Sequence, residues 1–267
     1  MMTSEEIMAA AAALDQAERD RRQIGLLSLA HPGIDLDDAY RIQATWMERK
    51  QAQGHRPIGW KIGLTSRAMQ QALNIDTPDS GVLLDSMAFD DSAVIAPGRF
   101  IQPRVEAEIA FVMKSSLRGP GVTLFDVLDA TSFISPALEI LDTRIVRADP
   151  ATRKMRTVFD TIADNAANAG IVLGGRPMRP LDADLRWLGA IVSRNGAVEE
   201  TGLAAGVLNH PARGIAWLAN RLAAYGGEIA AGQVVLSGSF IRPVECPPGS
   251  TIVADFGALG SVSCHFA

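Results

Sequence analysis

One stretch near the middle of the chain, Arg104-Val-Glu-Ala-Glu-Ile-Ala-Phe-Val112, limits the possible folds more than any other. Its β-branched and aromatic residues favour a strand. On a strand residues two apart share a face, so Glu106 and Glu108 point the same way. Two carboxylates that close repel each other unless water surrounds them or a cation lies between them. The tripeptide alone leaves both open, a solvated outer face or part of a metal site. A third acid bears on the choice. Glu139 stands in Ser135-Pro-Ala-Leu-Glu-Ile-Leu-Asp142 with apolar residues on both sides, where an unpaired carboxylate is costly to bury. Three carboxylates, water and a bidentate ligand complete an oxygen octahedron, which suits Mg2+ or Mn2+.

The chain is long enough to bury such strands, with 267 residues of which 48% are hydrophobic, so a substantial core is expected. Twenty-five Lys and Arg against 30 Asp and Glu give a net charge of −5, without the basic excess of a nucleic-acid binder. The longest apolar run, Ile7 to Leu14, has eight residues, five of them alanine, and a membrane helix needs about 20. Glu5 and Glu6 stand where a secretory leader carries basic residues, so no membrane partner and a cytoplasmic location are expected. The four histidines, His31, His55, His210 and His265, are scattered, which excludes an HExxH zinc site. Cys246 and Cys264 have neither metal nor redox spacing and read as buried small hydrophobes.

The expected architecture is α+β, a mixed sheet or barrel over residues 59–267 behind a helical N-terminal segment over about 1–58, all within one domain. Thr3 and Glu6 form a capping box before a helix that reaches Arg22, and a second helix runs from after Asp35 to Gln53, with Gly54 as its stop. Strands are predicted over 59–64, 81–84, 93–95, 105–113, 233–238, 251–255 and 261–266. Asn195-Gly196 marks a two-residue hairpin turn between 189–194 and 197–201. Helices are predicted from Thr123, over Thr161–Ala169, and from Asn209 through Pro211 to Gly226-Gly227.

Gly59-Trp-Lys-Ile-Gly-Leu-Thr65 sets Lys61 alone in an apolar strand. Desolvation there lowers its pKa and makes it a proton shuttle or anion partner, unless its head reaches water. Asp76, Asp79 and Gly81 follow in a loop, where an acid can equally be a turn former. The segment lacks the order of a phosphate loop, and Gly238-Ser-Phe-Ile-Arg-Pro243 lacks the GxSxG elbow of a serine hydrolase.

These segments together, with Asp164-Asn-Ala-Ala-Asn-Ala-Gly170 and Leu208-Asn-His-Pro-Ala212, resemble the 2-oxo-dienoate hydratases. That family also contains the 4-oxalocrotonate decarboxylases and belongs to the fumarylacetoacetate hydrolase superfamily. The likeness runs in order from about residue 10 to the C-terminus. Phe159-Asp-Thr-Ile-Ala-Asp-Asn165 and Leu185-Arg-Trp187 are most similar to members that hydrate the seven-carbon diacid 2-oxohept-4-ene-1,7-dioate in homoprotocatechuate degradation. The resemblance implies the superfamily's mixed sheet and barrel. It also implies a divalent metal, Mg2+ or alternatively Mn2+, on Glu106, Glu108 and Glu139, catalytic roles for Lys61 and Asp79, and substrate contacts from Leu64, Thr65, Arg104, Ser239 and Arg242. Ser80 and Ala163 depart from some relatives, which bears on the substrate's tail. The Ser-Phe-x-Arg-Pro element favours a hydratase over a decarboxylase. Homo-oligomers and association with a related decarboxylase are further implications.

In such a hydration the dienol is protonated at C5, water adds at C4, and C3 takes a proton to give a 4-hydroxy-2-oxo acid. Lys61 is assigned the proton donor or the partner of the C2 oxygen, and Asp79 the water. A remote carboxylate needs a cation, for which Arg67, Arg104, Arg144 and Arg242 are candidates. Vinylogous decarboxylation, hydrolysis of an acylpyruvate C–C bond and a non-catalytic partner of a decarboxylase are the alternative functions. The scarcity of histidine counts against the hydrolase.

Overall fold

The computed structural model describes the chain apart from Leu73, Asn74 and Asp76 and the side chains of Ala68, Met69 and Ala72. The expectation for Asp76 therefore lies outside the described residues. Three helices open the chain, α1 (Ser4–Asp20), α2 (Leu27–Ala30) and α3 (Leu36–Ala52). Thr3 caps α1 as expected: the Glu6 amide donates to Thr3 Oγ1 at 3.2 Å and the Thr3 amide to Glu6 Oε2 at 2.8 Å. Asp35 caps α3 by accepting from the Asp38 amide. Ile7, Leu14, Ile42 and the fully buried Trp46 pack these helices onto Leu84, Met87, Ile145 and Ile162 of the following chain. Helix α2 is too short to show a period in the sequence.

The strands are β1 (Pro57–Gly63), β2 (Asp79–Leu84), β3 (Ala88–Phe89), β4 (Ala93–Ile95), β5 (Arg104–Met113), β6 (Thr131–Leu141), β7 (Asn168–Leu173), β8 (Gly189–Arg194), β9 (Ala197–Leu203), β10 (Val234–Leu236), β11 (Val244–Glu245), β12 (Ser250–Asp255) and β13 (Ser261–Phe266). Four further helices are α4 (Arg67–Ala72), α5 (Leu124–Ala130), α6 (Val158–Ala163) and α7 (Ala212–Ala223). One mixed sheet has the order β2-β1-β10-β5-β6-β7-β3, with β11 also on β5, and a second has the order β4-β13-β12-β8-β9.

Strand β5 positions the site by strict alternation. Val105, Ala107, Ile109 and Phe111 enter the cluster that also holds Val192, Ile252 and Phe266 of the second sheet. The opposite face of β5 carries Arg104, Glu106, Glu108 and Ala110. Its antiparallel register with β6 sets Glu106 opposite Glu139 and Glu108 opposite Ala137. Ala110 and Ala137 join Leu83, Ile171 and Leu236 in a small apolar patch bordering the carboxylates.

Some boundaries differ from expectation. The helix predicted over Thr161–Ala169 is α6, which starts earlier because Thr157 and Asp160 form its capping box. It ends where Asn165, Ala166 and Ala167 take positive φ of 50°, 52° and 62°, a left-handed turn that feeds β7. Helix α7 begins at Ala212 and not at Asn209, since Leu208 and Asn209 also hold positive φ. Asp79 opens β2 opposite Gly63 instead of sitting in a loop. Strand β10 is shorter than expected because Gly238, at φ 110°, turns the chain out of the sheet. The Asn195-Gly196 turn forms as read, with φ of 53° and 83°.

Candidate metal centre

Glu106, Glu108 and Glu139 each offer a carboxylate oxygen, and these lie within 4.8 Å of one another. Glu108 and Glu139 are completely buried, whereas Glu106 is half-buried. The Gly238 amide donates to Glu108 Oε2 at 2.7 Å. Glu108 Oε1 and both oxygens of Glu139 have no hydrogen-bond partner. Buried anionic oxygens that converge and lack donors fit a hard divalent cation.

Burial, followed by the neighbouring Glu139 charge, pushes Glu106 up to about 8, against the pull of Lys61 and Arg104. Burial and the two other carboxylates raise Glu108 well above the usual range, and burial raises Glu139 against the pull of Lys61. Protons or a cation must therefore offset charge here.

Lys61 reaches the trio from β1, the second strand from β5 across β10. Its Nζ lies 3.2 Å from Glu139 Oε1, a charge contact without hydrogen-bond alignment. Burial pulls its pKa down, as expected from the sequence, but Glu139, Asp79, Glu106 and Glu108 outweigh burial and raise it above the ordinary lysine value. The expected depression is thus reversed by the surrounding carboxylates. Asp79 is buried, and burial raises its carboxyl despite Lys61. Gly63 lets the two approach: a Cβ there would lie 2.2 Å from Asp79 Oδ1 and 3.1 Å from Lys61 Nζ.

Thr65 is buried against Gly238, where a Cβ would meet its Oγ1 at 2.3 Å. This places Thr65 next to the amide that holds Glu108. Leu64, at φ 57°, turns the chain after β1, and its carbonyl accepts from Gln70 Nε2 at 2.7 Å. Ser239 follows Gly238, but its hydroxyl closes a local turn with the Ile241 amide and carbonyl. Arg104 lies two residues before Glu106 and half-buried. Arg242 is 83% exposed and pairs with Glu200 at 2.7 Å. Arg67 is exposed at the start of α4. Arg144 is fully buried and held by Asp164 and the Asn168 carbonyl, so it is not open to a substrate.

The Gly238 amide is a site group that sequence reasoning missed; its signal is the glycine that ends the predicted strand at 238.

No protein-family model matches the chain. It is 55% identical over 253 residues to the 2-oxo-hept-4-ene-1,7-dioate hydratase of Escherichia coli, covering 95% of each chain. It superposes on a 4-oxalocrotonate decarboxylase from Pseudomonas putida G7, complexed with magnesium and adipate, with a TM-score of 0.94 and 35% identity, covering 100% of this chain and 99% of that one. A fumarylacetoacetate hydrolase family protein from Yersinia pestis CO92 shares the fold at a TM-score of 0.58 and 12% identity, over 79% and 94% of the respective chains.

Proposed function

The chain belongs to the family of 2-oxo-enoate hydratases and 4-oxalocrotonate decarboxylases, and we propose on that premise that it hydrates 2-oxohept-4-ene-1,7-dioate to 4-hydroxy-2-oxoheptanedioate. The observation that carries this reading is the convergence of Glu106, Glu108 and Glu139 beside Lys61 and Asp79.

The three glutamates would hold Mg2+, with Mn2+ as the alternative. When bound, the cation supplies Lewis acidity that stabilises negative charge on the substrate's C1 carboxylate and C2 oxygen, typically by several kcal/mol. Lys61 holds its proton at Nζ and delivers it to C5 or shares it with the C2 oxygen. Glu139 orients that ammonium from 3.2 Å. Asp79, across Gly63 from Lys61, positions the water that adds at C4 and takes its proton. Thr65 and Leu64 shape the wall beside Lys61, and Ser239 and Arg242 belong to the segment following the Gly238 anchor. Burial of Lys61, Asp79 and two of the glutamates excludes bulk water and strengthens each of these charges.

Vinylogous decarboxylation is the second reading, favoured by the superposition on the decarboxylase. The higher identity to the hydratase, 55% against 35%, supports hydration. On the same reading the chain works in the cytoplasm as a homo-oligomer, in association with a related decarboxylase, within homoprotocatechuate catabolism. No helix among the described residues is long and apolar enough to cross a membrane. The test supplies, in separate assays with Mg2+, 2-hydroxyhepta-2,4-dienedioate, followed for hydrated product, and 2-oxohex-3-enedioate, followed for CO2. Formation of 4-hydroxy-2-oxoheptanedioate from the first and no CO2 from the second is expected, and CO2 release from the six-carbon diacid without hydration of the dienol would replace hydration by decarboxylation.

A further inference from the structure

A cavity of about 440 Å³ is lined by Arg104, two residues before Glu106 on β5, and by none of the three glutamates, and its size is that of a small-molecule pocket. Arg99, Arg104, Arg147 and Arg156 line it, with Gln23, the acidic side chain of Glu245 and Ala267 at the end of the chain. Arg99 is engaged by the rings of Phe89 and Phe100 and by the Ser86 carbonyl. Among the described residues, the ion pairs made by arginine include none from Arg104, Arg147 or Arg156.

The loop between β6 and α6 holds two of these arginines side by side. Ala148 and Met155 form an antiparallel bridge, and the Arg156 amide donates to the Arg147 carbonyl at 2.9 Å. Like charges opposite each other on paired chains are destabilising unless an anion joins them. Arg156 is half-buried and its Nη1 is buried with no hydrogen-bond partner. A guanidinium cannot escape that cost by losing its proton, and its planar fork matches a carboxylate.

Arg104 connects this cavity to the glutamates. It precedes Glu106 by one strand repeat on the same face of β5, roughly 7 Å, and its charge acts on both Glu106 and Arg156. Arg104 thus lies between the glutamates and the arginine pair, within the span of an extended dicarboxylate.

We propose that the cavity is the subsite for the remote carboxylate of an extended 2-oxo dicarboxylate, with Arg147 and Arg156 as its anion-binding pair and Arg104 lining the path from Glu106. The near end of that ligand rests on the metal-centre reading above; the far end rests on the cavity alone. Saturated ligands that cannot be hydrated test it by calorimetry on the Mg2+-loaded protein, comparing 2-oxoheptanedioate with 2-oxoheptanoate. The wild type is expected to prefer the diacid, and Arg156→Met to reduce the ratio of the two dissociation constants at least about tenfold, the scale of a lost charge-assisted contact. Arg147→Met, at an exposed position, is expected to lower the same ratio and keeps the test valid if Arg156→Met misfolds. Equal affinity for the two ligands in the wild type, or an unchanged ratio in a folded variant, would overturn the subsite. Diacid preference lost in the variants, in a protein that hydrates no dienoate, would support the subsite and refute the hydratase reading; hydration with an unchanged ratio would do the reverse.

Discussion

Glu106 is the glutamate of the trio that is not fully buried, and its pKa of about 8 makes cation binding pH-dependent near neutrality. A cation must displace the protons that burial and Glu139 hold on these carboxyls, so affinity rises with pH. Titration with Mg2+ should show a dissociation constant that tightens by about tenfold per pH unit for each proton released between pH 6 and 8; a flat profile would contradict proton displacement. The trio was legible in the sequence because strand periodicity sets Glu106 and Glu108 on one face and an apolar context marks Glu139. The surroundings of Lys61 were not, since its pKa is set by Glu139 and Asp79, which reach it only through the fold. Arg144 shows the same limit. As a charge in the sequence it was open to a ligand, and in the structure it is spent on Asp164.

Helix α6 shows what an element's ends do for the rest of the chain. Asp160 caps its own helix through the Thr157 amide and hydroxyl and also accepts from the amide and hydroxyl of Ser28 at 2.9 and 2.6 Å. Removing the Thr157 hydroxyl loses a cap and should cost about 1 kcal/mol. Asp160→Ala strips the acceptor from four donors across two segments and should cost about 2–4 kcal/mol in denaturant unfolding; equal costs for the two variants would show that the Ser28 link is not stabilising. Elements with explicit turn or cap chemistry were legible, including the Asn195-Gly196 hairpin, the Thr3 and Thr123 caps and the strands at 93–95 and 261–266. The start of α7 and the end of α6 were misplaced for one physical reason. Non-glycine residues, including three in succession at 165–167, hold left-handed backbone there, and alanine or leucine in a sequence carries no sign of it.

Across the whole molecule the arrangement of strands was not legible, because the key neighbours are remote in sequence: β1 pairs with β10 in parallel and β13 takes β4 onto its far side. Local periodicity identifies strands but not partners separated by most of the chain. The N-terminal helices share a buried cluster with Leu84, Ile145 and Ile162, so residues 1–58 and 59–267 are expected to melt in one transition. The folded glutamates bind protons that the unfolded chain releases at the usual carboxylate range near 4.5. Their favourable contribution is complete below that range and disappears as pH rises through about 8. The melting temperature of metal-free protein should therefore fall between pH 5 and 8.5, and Mg2+ at about 100 times its dissociation constant should restore roughly 2.7 kcal/mol; two transitions, or a melting temperature rising over that window, would contradict this balance. The most direct test of the whole account pairs Mg2+ calorimetry with dienoate turnover in the wild type and in Glu139→Gln. A Mg2+ site and hydration that disappear together in the variant are predicted, and undiminished Mg2+ binding or undiminished hydration in Glu139→Gln would contradict the assignment of the metal centre.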